Sequence, residues 1–153
     1  MSGKVVKIVI ASVNSGKSES VQDVQAVAGC GLIGDKYYKD SKKKSEPEVE
    51  EGFQITLIEN ISISQCNKLL GKTFSAEDIR RNIVTEGVEL NKLVGKTFRV
   101  GNTTLTGIKL CHPCSYLGKE LGCDLKKGLK NIGGLRADIV KDGKIKIGDT
   151  IVI

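Results

Sequence analysis

The sequence has no tryptophan, two prolines, one histidine and only 4% aromatic residues. It also has no long apolar run. A bilayer-spanning helix needs about 20 consecutive apolar residues, so such a helix is excluded. After Met1–Lys7, only Ile8 to Ala11 precede the next polar residues, too few for the core of a signal peptide. The expectation is a protein with no leader, cytoplasmic and free of membrane. Scarce proline beside 18 glycines points to many tight turns between short elements, as an all-β chain needs. A chain of 153 residues is expected to form one domain, 1–153, since separate cores arise only beyond roughly 250 residues.

The formal net charge is +6. Residues 1–99 hold 15 basic and 13 acidic side chains, and residues 100–153 hold 9 and 5, so the excess is spread thinly. With few aromatics to interleave, no basic stripe of the nucleic-acid-binding kind forms, and no nucleic-acid partner is expected. Mild positive charge suits an anionic small molecule. The five cysteines, at 30, 66, 111, 114 and 123, are odd in number, which argues against a disulfide framework.

Val5 to Val13 is β-branched and reads as a strand entering a turn at Asn14-Ser15-Gly16; Gln22 to Ala28 and Gln54 to Glu59 alternate as strands do. The stretch 39–51, with four Lys, five acids and one Pro, reads as a solvated loop. Ile61 to Leu70 predicts a short helix stopped by Gly71, and Ser75 with Asp78 three residues on approaches a capping box. Ile83-Val84-Thr85 is extended. Thr97 to Val100 and Thr103 to Leu110 form a hairpin about Gly101-Asn102, and Leu135 to Val140 with Lys144 to Ile147 repeats that grammar about Asp142-Gly143. Leu117, Leu121, Leu125 and Leu129, interrupted by glycines, predict two short helices. About eight strands and about four short helices imply a mainly β fold, a closed or nearly closed barrel without exposed edges.

Three motifs bear on chemistry. Ser15-Gly16-Lys17-Ser18 resembles the tail of a phosphate-binding loop, but Ala11 stands where that pattern needs Gly and no helix is predicted to follow. Asn14, Ser15 and Lys17 remain donors for an anion. In Cys111-His112-Pro113-Cys114, two cysteines three apart can grip a metal, yet structural zinc needs four ligands, and a thioredoxin-like pair needs a βαβ setting. Two readings stay open: buried small hydrophobes, or one reactive thiolate. For the thiolate, Cys114, just before a helix starting near Ser115, is better placed than Cys111 at a strand end. Arg80-Arg81-Asn82, then Thr85, is either a fork for phosphate or carboxylate or a solvated helix face. If the chain after the helix is extended, Arg80 and Asn82 share a side. Arg136, after Gly133-Gly134, offers the same pair of readings.

The ordered set N-S-G-K at 14–17, G-C-G-L-I-G-D at 29–35, Q-I-T-L-I-E at 54–59 and R-R-N-I-V-T-E-G-V at 80–88 resembles the MOSC domain family, named for the C-terminal domain of molybdenum-cofactor sulfurase. L-V-G-K-T-F-R-V-G at 93–101, H-P-C at 112–114, G-G-L-R-A at 133–137 and D-G-K-I-K-I-G-D at 142–149 continue it. The resemblance implies a barrel related to that of pyruvate kinase and a molybdenum cofactor (molybdopterin) as ligand. It assigns Cys114 as the reactive residue, binding molybdenum or carrying a persulfide. Arg80 and Asn82 of the R-x-N element, with Thr85, Lys17 and Arg136 around them, would hold the anionic pterin phosphate. The activities it implies are molybdenum-dependent reduction of N-hydroxylated compounds or sulfur transfer; pyridoxal phosphate binding is a further family association. Implied partners are a sulfur donor or a molybdenum-cofactor biosynthesis protein. The alternative is a non-catalytic anion-binding module serving such a protein. Where the family often has His after G-D, this chain has Lys36-Tyr37-Tyr38. It also lacks the N-terminal barrel of the reductase relatives, which makes reduction by this polypeptide alone less expected.

Overall fold

A computed structural model describes residues 2–40, 50–113 and 115–153. Most of the charged 39–51 loop and Cys114 therefore lie outside the described residues. The chain opens with β1 (Ser2–Ala11), β2 (Ser18–Val21), β3 (Asp23–Val27), β4 (Gly31–Leu32) and β5 (Ile55–Glu59). The helix α1 (Asn60–Leu70) ends, as its sequence predicts, at Gly71, whose φ of 65° lets its N–H turn back to the Asn67 carbonyl. Next comes α2 (Ala76–Ile79), whose start is capped where Asp78 Oδ2 accepts from the Ser75 N–H at 2.9 Å. Then follow β6 (Ile83–Glu86), a 3-10 turn at Leu90–Leu93, β7 (Thr97–Val100), β8 (Thr103–Leu110), α3 (Ser115–Leu121) and α4 (Leu125–Gly128). The chain closes with β9 (Leu135–Lys141), β10 (Gly143–Lys146) and β11 (Thr150–Val152).

The strands β11, β7, β8, β9, β5, β6 and β1 are bonded in that order, and β11 pairs back onto β1. The fold is thus mainly β with a closed barrel, as the strand pattern implies. Closure depends on β1 dividing its length between partners. Its Ser2–Lys4 end pairs with β11, its Ile8–Ala11 end with β2, and the opposite edge with β6. A register shift between Val5 and Lys7 bends β1 there, and such bulges supply the extra twist a small barrel requires. The pair β5–β6 is parallel, which obliges the intervening α1 and α2 to cross over outside the barrel.

One predicted pairing is not formed. The sequence reads as a β9–β10 hairpin about Asp142-Gly143, but β10 pairs antiparallel with β3, in a separate three-stranded sheet with β4. The cause is a tertiary contact: Asp142 accepts from the Ala28 N–H at 2.7 Å, which hands the chain to the end of β3. Val24, Ala26, Leu32 and Ile145 of this sheet join the barrel's interior core. A second core lies outside the barrel, where Val9, Ile58 and Val84 meet Ile79, Leu117 and Leu129 of the helical layer. In β1, Ile8 belongs to the first core and Val9 to the second, as period-two geometry dictates.

Candidate functional site

Along β9 the buried residues are Leu135, Ala137 and Ile139, so Arg136 and Asp138 face outward. Arg136 stands opposite Lys109 of β8 on one side and Thr56 of β5 on the other. Thr56 in turn is bonded to Asn82. The Asn82 Oδ1 accepts from the Thr56 N–H at 3.0 Å and from its hydroxyl at 3.1 Å, and the Thr56 hydroxyl accepts from the Asn82 N–H at 3.0 Å. The Asn82 Nδ2 donates to the Val9 carbonyl at 3.0 Å. Lys109, Arg136, Thr56 and Asn82 therefore form one row across the outer face. Most of the Asn82 amide ties β1 to β5, and one of its two amide hydrogens remains for another acceptor.

The adjacent arginines part company. Arg80 terminates α2 in the left-handed region, φ 63°, with its N–H bonded to the Ala76 carbonyl at 3.0 Å. It is therefore not extended, and the period-two argument that would align it with Asn82 does not apply. Its guanidinium reaches Glu120 of α3 at 2.8 Å and is 45% exposed. Arg81 is turned inward and buried. Its Nε donates to the Gly133 carbonyl at 2.8 Å and its Nη1 to the Ile79 carbonyl at 3.2 Å. The motif Arg80-Arg81-Asn82 reads as two guanidiniums of one fork or one solvated face, and the burial of Arg81 separates it from both. The left-handed residue before it is what reverses the two side chains, and no local pattern marks that conformation at an arginine.

The Gly133–Gly134 pair is a close-packing device. The Cys111 N–H donates to the Gly134 carbonyl at 2.8 Å. A Cβ on Gly133 would collide with the Cys111 carbonyl and press Pro113 Cδ at 3.4 Å, and one on Gly134 would strike the Leu57 carbonyl. Arg81 thus holds Gly133, and the glycine pair packs closely against the segment Cys111–Pro113 on one side and the Leu57 carbonyl of β5 on the other. Cys111 and Pro113 are buried and His112 is exposed. Cys114 lies outside the described residues, between this pinned segment and the start of α3 at Ser115. Among the described residues no group of three or more His, Cys, Asp or Glu side chains could hold a metal.

The other named residues stand apart. Thr85 is fully buried, and its hydroxyl donates to the Ile58 carbonyl at 3.4 Å, fastening β6 to β5. Lys17 is exposed in the β1–β2 turn, where its carbonyl accepts from the Ser12 N–H at 2.9 Å; a strand, not a helix, follows it. Asp35 of the G-D motif is buried, accepts from the Ala11 N–H at 2.8 Å and the Tyr37 N–H at 3.3 Å, and so clasps the end of β1. Its burial pushes the carboxyl above the ordinary Asp value. Cys66, in the helical core, has its thiol raised by burial and by nearby Cys123.

A sequence profile of the MOSC domain matches residues 44–152. No curated protein matches in sequence. Among solved structures, the YUAD protein from Bacillus subtilis is similar with a TM-score of 0.81 at 17% identity, covering 99% of this chain and 94% of that one. YiiM from Escherichia coli is similar at 0.72 and 16% identity, covering 99% and 69%. YiiM from Geobacillus stearothermophilus gives 0.71 and 16%, covering 98% and 74%. At these identities the likeness is one of fold.

Proposed function

The chain belongs to the MOSC domain family, and from that membership together with the outer-face geometry we propose that it binds the molybdenum cofactor. In this reading Cys114 meets the metal or carries sulfur, and Arg80 and Arg136 hold the pterin phosphate. The supporting observation is the double tie between the R-x-N and H-P-C elements. Arg80 pairs with Glu120 of α3, the helix that follows Cys114, at 2.8 Å, and Arg81 holds Gly133 beside the residue that bonds Cys111. Two elements far apart in sequence are thereby fixed against each other.

The residues fit such a ligand. A phosphate monoester carries close to two negative charges, and a guanidinium offers it a planar fork. Arg80 and Arg136 supply two such forks, and Asn82 has an amide hydrogen to add. Lys17 serves as an outlying cation, and the buried Thr85 serves by fastening β6 to β5 beneath the site. When bound, the cofactor would supply a redox-active metal able to exchange oxygen or sulfur ligands. The chain contributes the Cys114 sulfur, a set of cations, and the pinned Cys111–Pro113 segment that precedes that residue. Sulfur transfer would draw on these parts with a separate sulfur donor, and substrate reduction would draw on them with a separate electron donor.

The test is anaerobic purification from a cofactor-competent host, with molybdenum and pterin assayed on the protein and on Cys114→Ser. The expected result is near-stoichiometric molybdenum, lost in the variant, or a persulfide mass on Cys114. Neither metal, pterin nor added sulfur on the wild-type protein would overturn the reading.

A further inference from the structure

We propose that Lys109, Arg136 and Phe53 form an anion subsite that takes a phosphate monoester group. Phe53 is exposed, and both cations gather on its ring, the Arg136 guanidinium 4.3 Å and the Lys109 ammonium 5.1 Å from the centroid. A ring face attracts each cation through its quadrupole, but bringing two positive charges to one ring also makes them repel. Among the described residues neither cation has a carboxylate partner to offset that repulsion. The acid on the same face of β9, Asp138, accepts from the Gly52 N–H at 2.8 Å and makes no ion pair with either cation. An anion between the two cations would relieve the repulsion.

The arrangement is also held in place. Gly52, at φ 85°, runs directly over the Lys109 stem, where a Cβ would meet Ile108 Cγ2 at 3.3 Å and Lys109 Cε at 3.5 Å. The next residue, Phe53, bonds its N–H to the Glu50 carbonyl at 3.0 Å. This strap covers the Lys109 stem and sets the ring beside the two side chains. Stacking uses the guanidinium's face and leaves its N–H edge for two phosphate oxygens. The subsite continues the row Arg136–Thr56–Asn82. It rests on the cofactor reading for the identity of the ligand, though its anion chemistry stands without it.

The experiment titrates the full chain with inorganic phosphate and follows the Arg136 Nε–H and the Phe53 ring protons by NMR. Saturable shifts at both are expected. Lys109→Ala should weaken phosphate binding about tenfold, and Lys109→Arg should largely restore it. Phe53→Leu should weaken it with little change in melting temperature. If Lys109→Ala does not fold, Lys109→Gln takes its place. Equal phosphate affinity in the wild-type protein and Lys109→Ala, or Lys109→Gln in its place, overturns the subsite. Cofactor content separates the two proposals. Wild-type protein that carries no molybdenum or pterin yet binds phosphate through Lys109 sinks the cofactor reading and supports the subsite. A Lys109→Ala protein that retains full cofactor and full phosphate affinity does the reverse.

Discussion

Arg80 meets Glu120 at 2.8 Å while its own backbone sits at φ 63°, so the arginine proposed to grip the pterin phosphate is both strained and engaged by a carboxylate. Left-handed backbone costs a residue with a Cβ about 1–2 kcal/mol relative to the right-handed form. Conformations of this kind cluster at functional sites, where neighbouring structure enforces them.

The two properties can be separated. Arg80→Gly should hold or raise stability, by up to about 1 kcal/mol, because glycine adopts the left-handed cap without a Cβ clash. The same variant should weaken binding of a phosphate monoester about tenfold or more, through loss of a charge-assisted bond. Glu120→Gln should strengthen that binding by a few-fold, the scale of an exposed ion pair. Thermal melts and ligand titration on the two variants decide it. A Glu120→Gln protein with unchanged affinity would mean that the pair does not compete with ligand.

Arg81 should behave oppositely to its neighbour. It is buried and donates to the carbonyls of Gly133 and Ile79. Arg81→Met should cost about 3 kcal/mol or more, since hydrogen bonds to charged groups are worth about 1.5–3 kcal/mol each. Arg81→Lys should recover little of this, because an ammonium cannot span both carbonyls. Chemical denaturation measures the loss; a change below about 1 kcal/mol would contradict the clamp.

Asn82 is expected to report on stability before it reports on ligand. Asn82→Ala leaves the Thr56 N–H and the Val9 carbonyl without their partners, a loss of about 2–4 kcal/mol. Asn82→Asp keeps the acceptor for Thr56 but loses the donor to Val9, and should fall between the two. Equal stability of all three proteins would show that the amide does not bridge β1 and β5.

The thiols should rank by burial. Cys30, Cys66 and Cys111 are buried, Cys66 with its thiol raised, and Cys123 is partly exposed. Competitive alkylation near neutral pH should label Cys123 ahead of those three, with Cys114, the proposed functional thiol, ahead of Cys123. Early labelling of Cys66 or Cys111 in folded protein would contradict this order.

Two carboxyls should pull the acid stability curve in opposite directions. Glu77 is held below its ordinary value, chiefly by the hydrogen bond from the Lys7 ammonium. A depressed carboxyl contributes stability above its unfolded pKa of 4.5 and loses it as pH falls through the folded value. Asp35 is raised by burial, so its ionisation opposes folding as pH rises above the unfolded value of 3.8. Glu77→Gln should therefore lower stability at neutral pH and flatten the acid limb, whereas Asp35→Asn should steepen it. Denaturation curves between about pH 3 and 7 would show both slopes.

Sequence alone determined the elements whose causes are local. The β-branched run of β1, the Gly101-Asn102 hairpin of β7 and β8, the Gly71 stop of α1 and the Ser75–Asp78 cap all depend on residues within a few positions of one another. The cation and thiol types of the R-x-N and H-P-C elements were legible in the same way, and their order along the chain carried the family resemblance. Tertiary structure alone decided what depends on closing the barrel. It gave β10 to β3 rather than β9, because the Asp142 carboxylate meets Ala28 across the fold. It sent Arg80 outward and Arg81 inward, buried Thr85 of β6 against β5, and set Lys109 and Arg136 around Phe53. Each of these relationships joins residues on different strands or helices. Strand register and outward direction are properties of the closed sheet, and no short stretch of chain encodes them by itself.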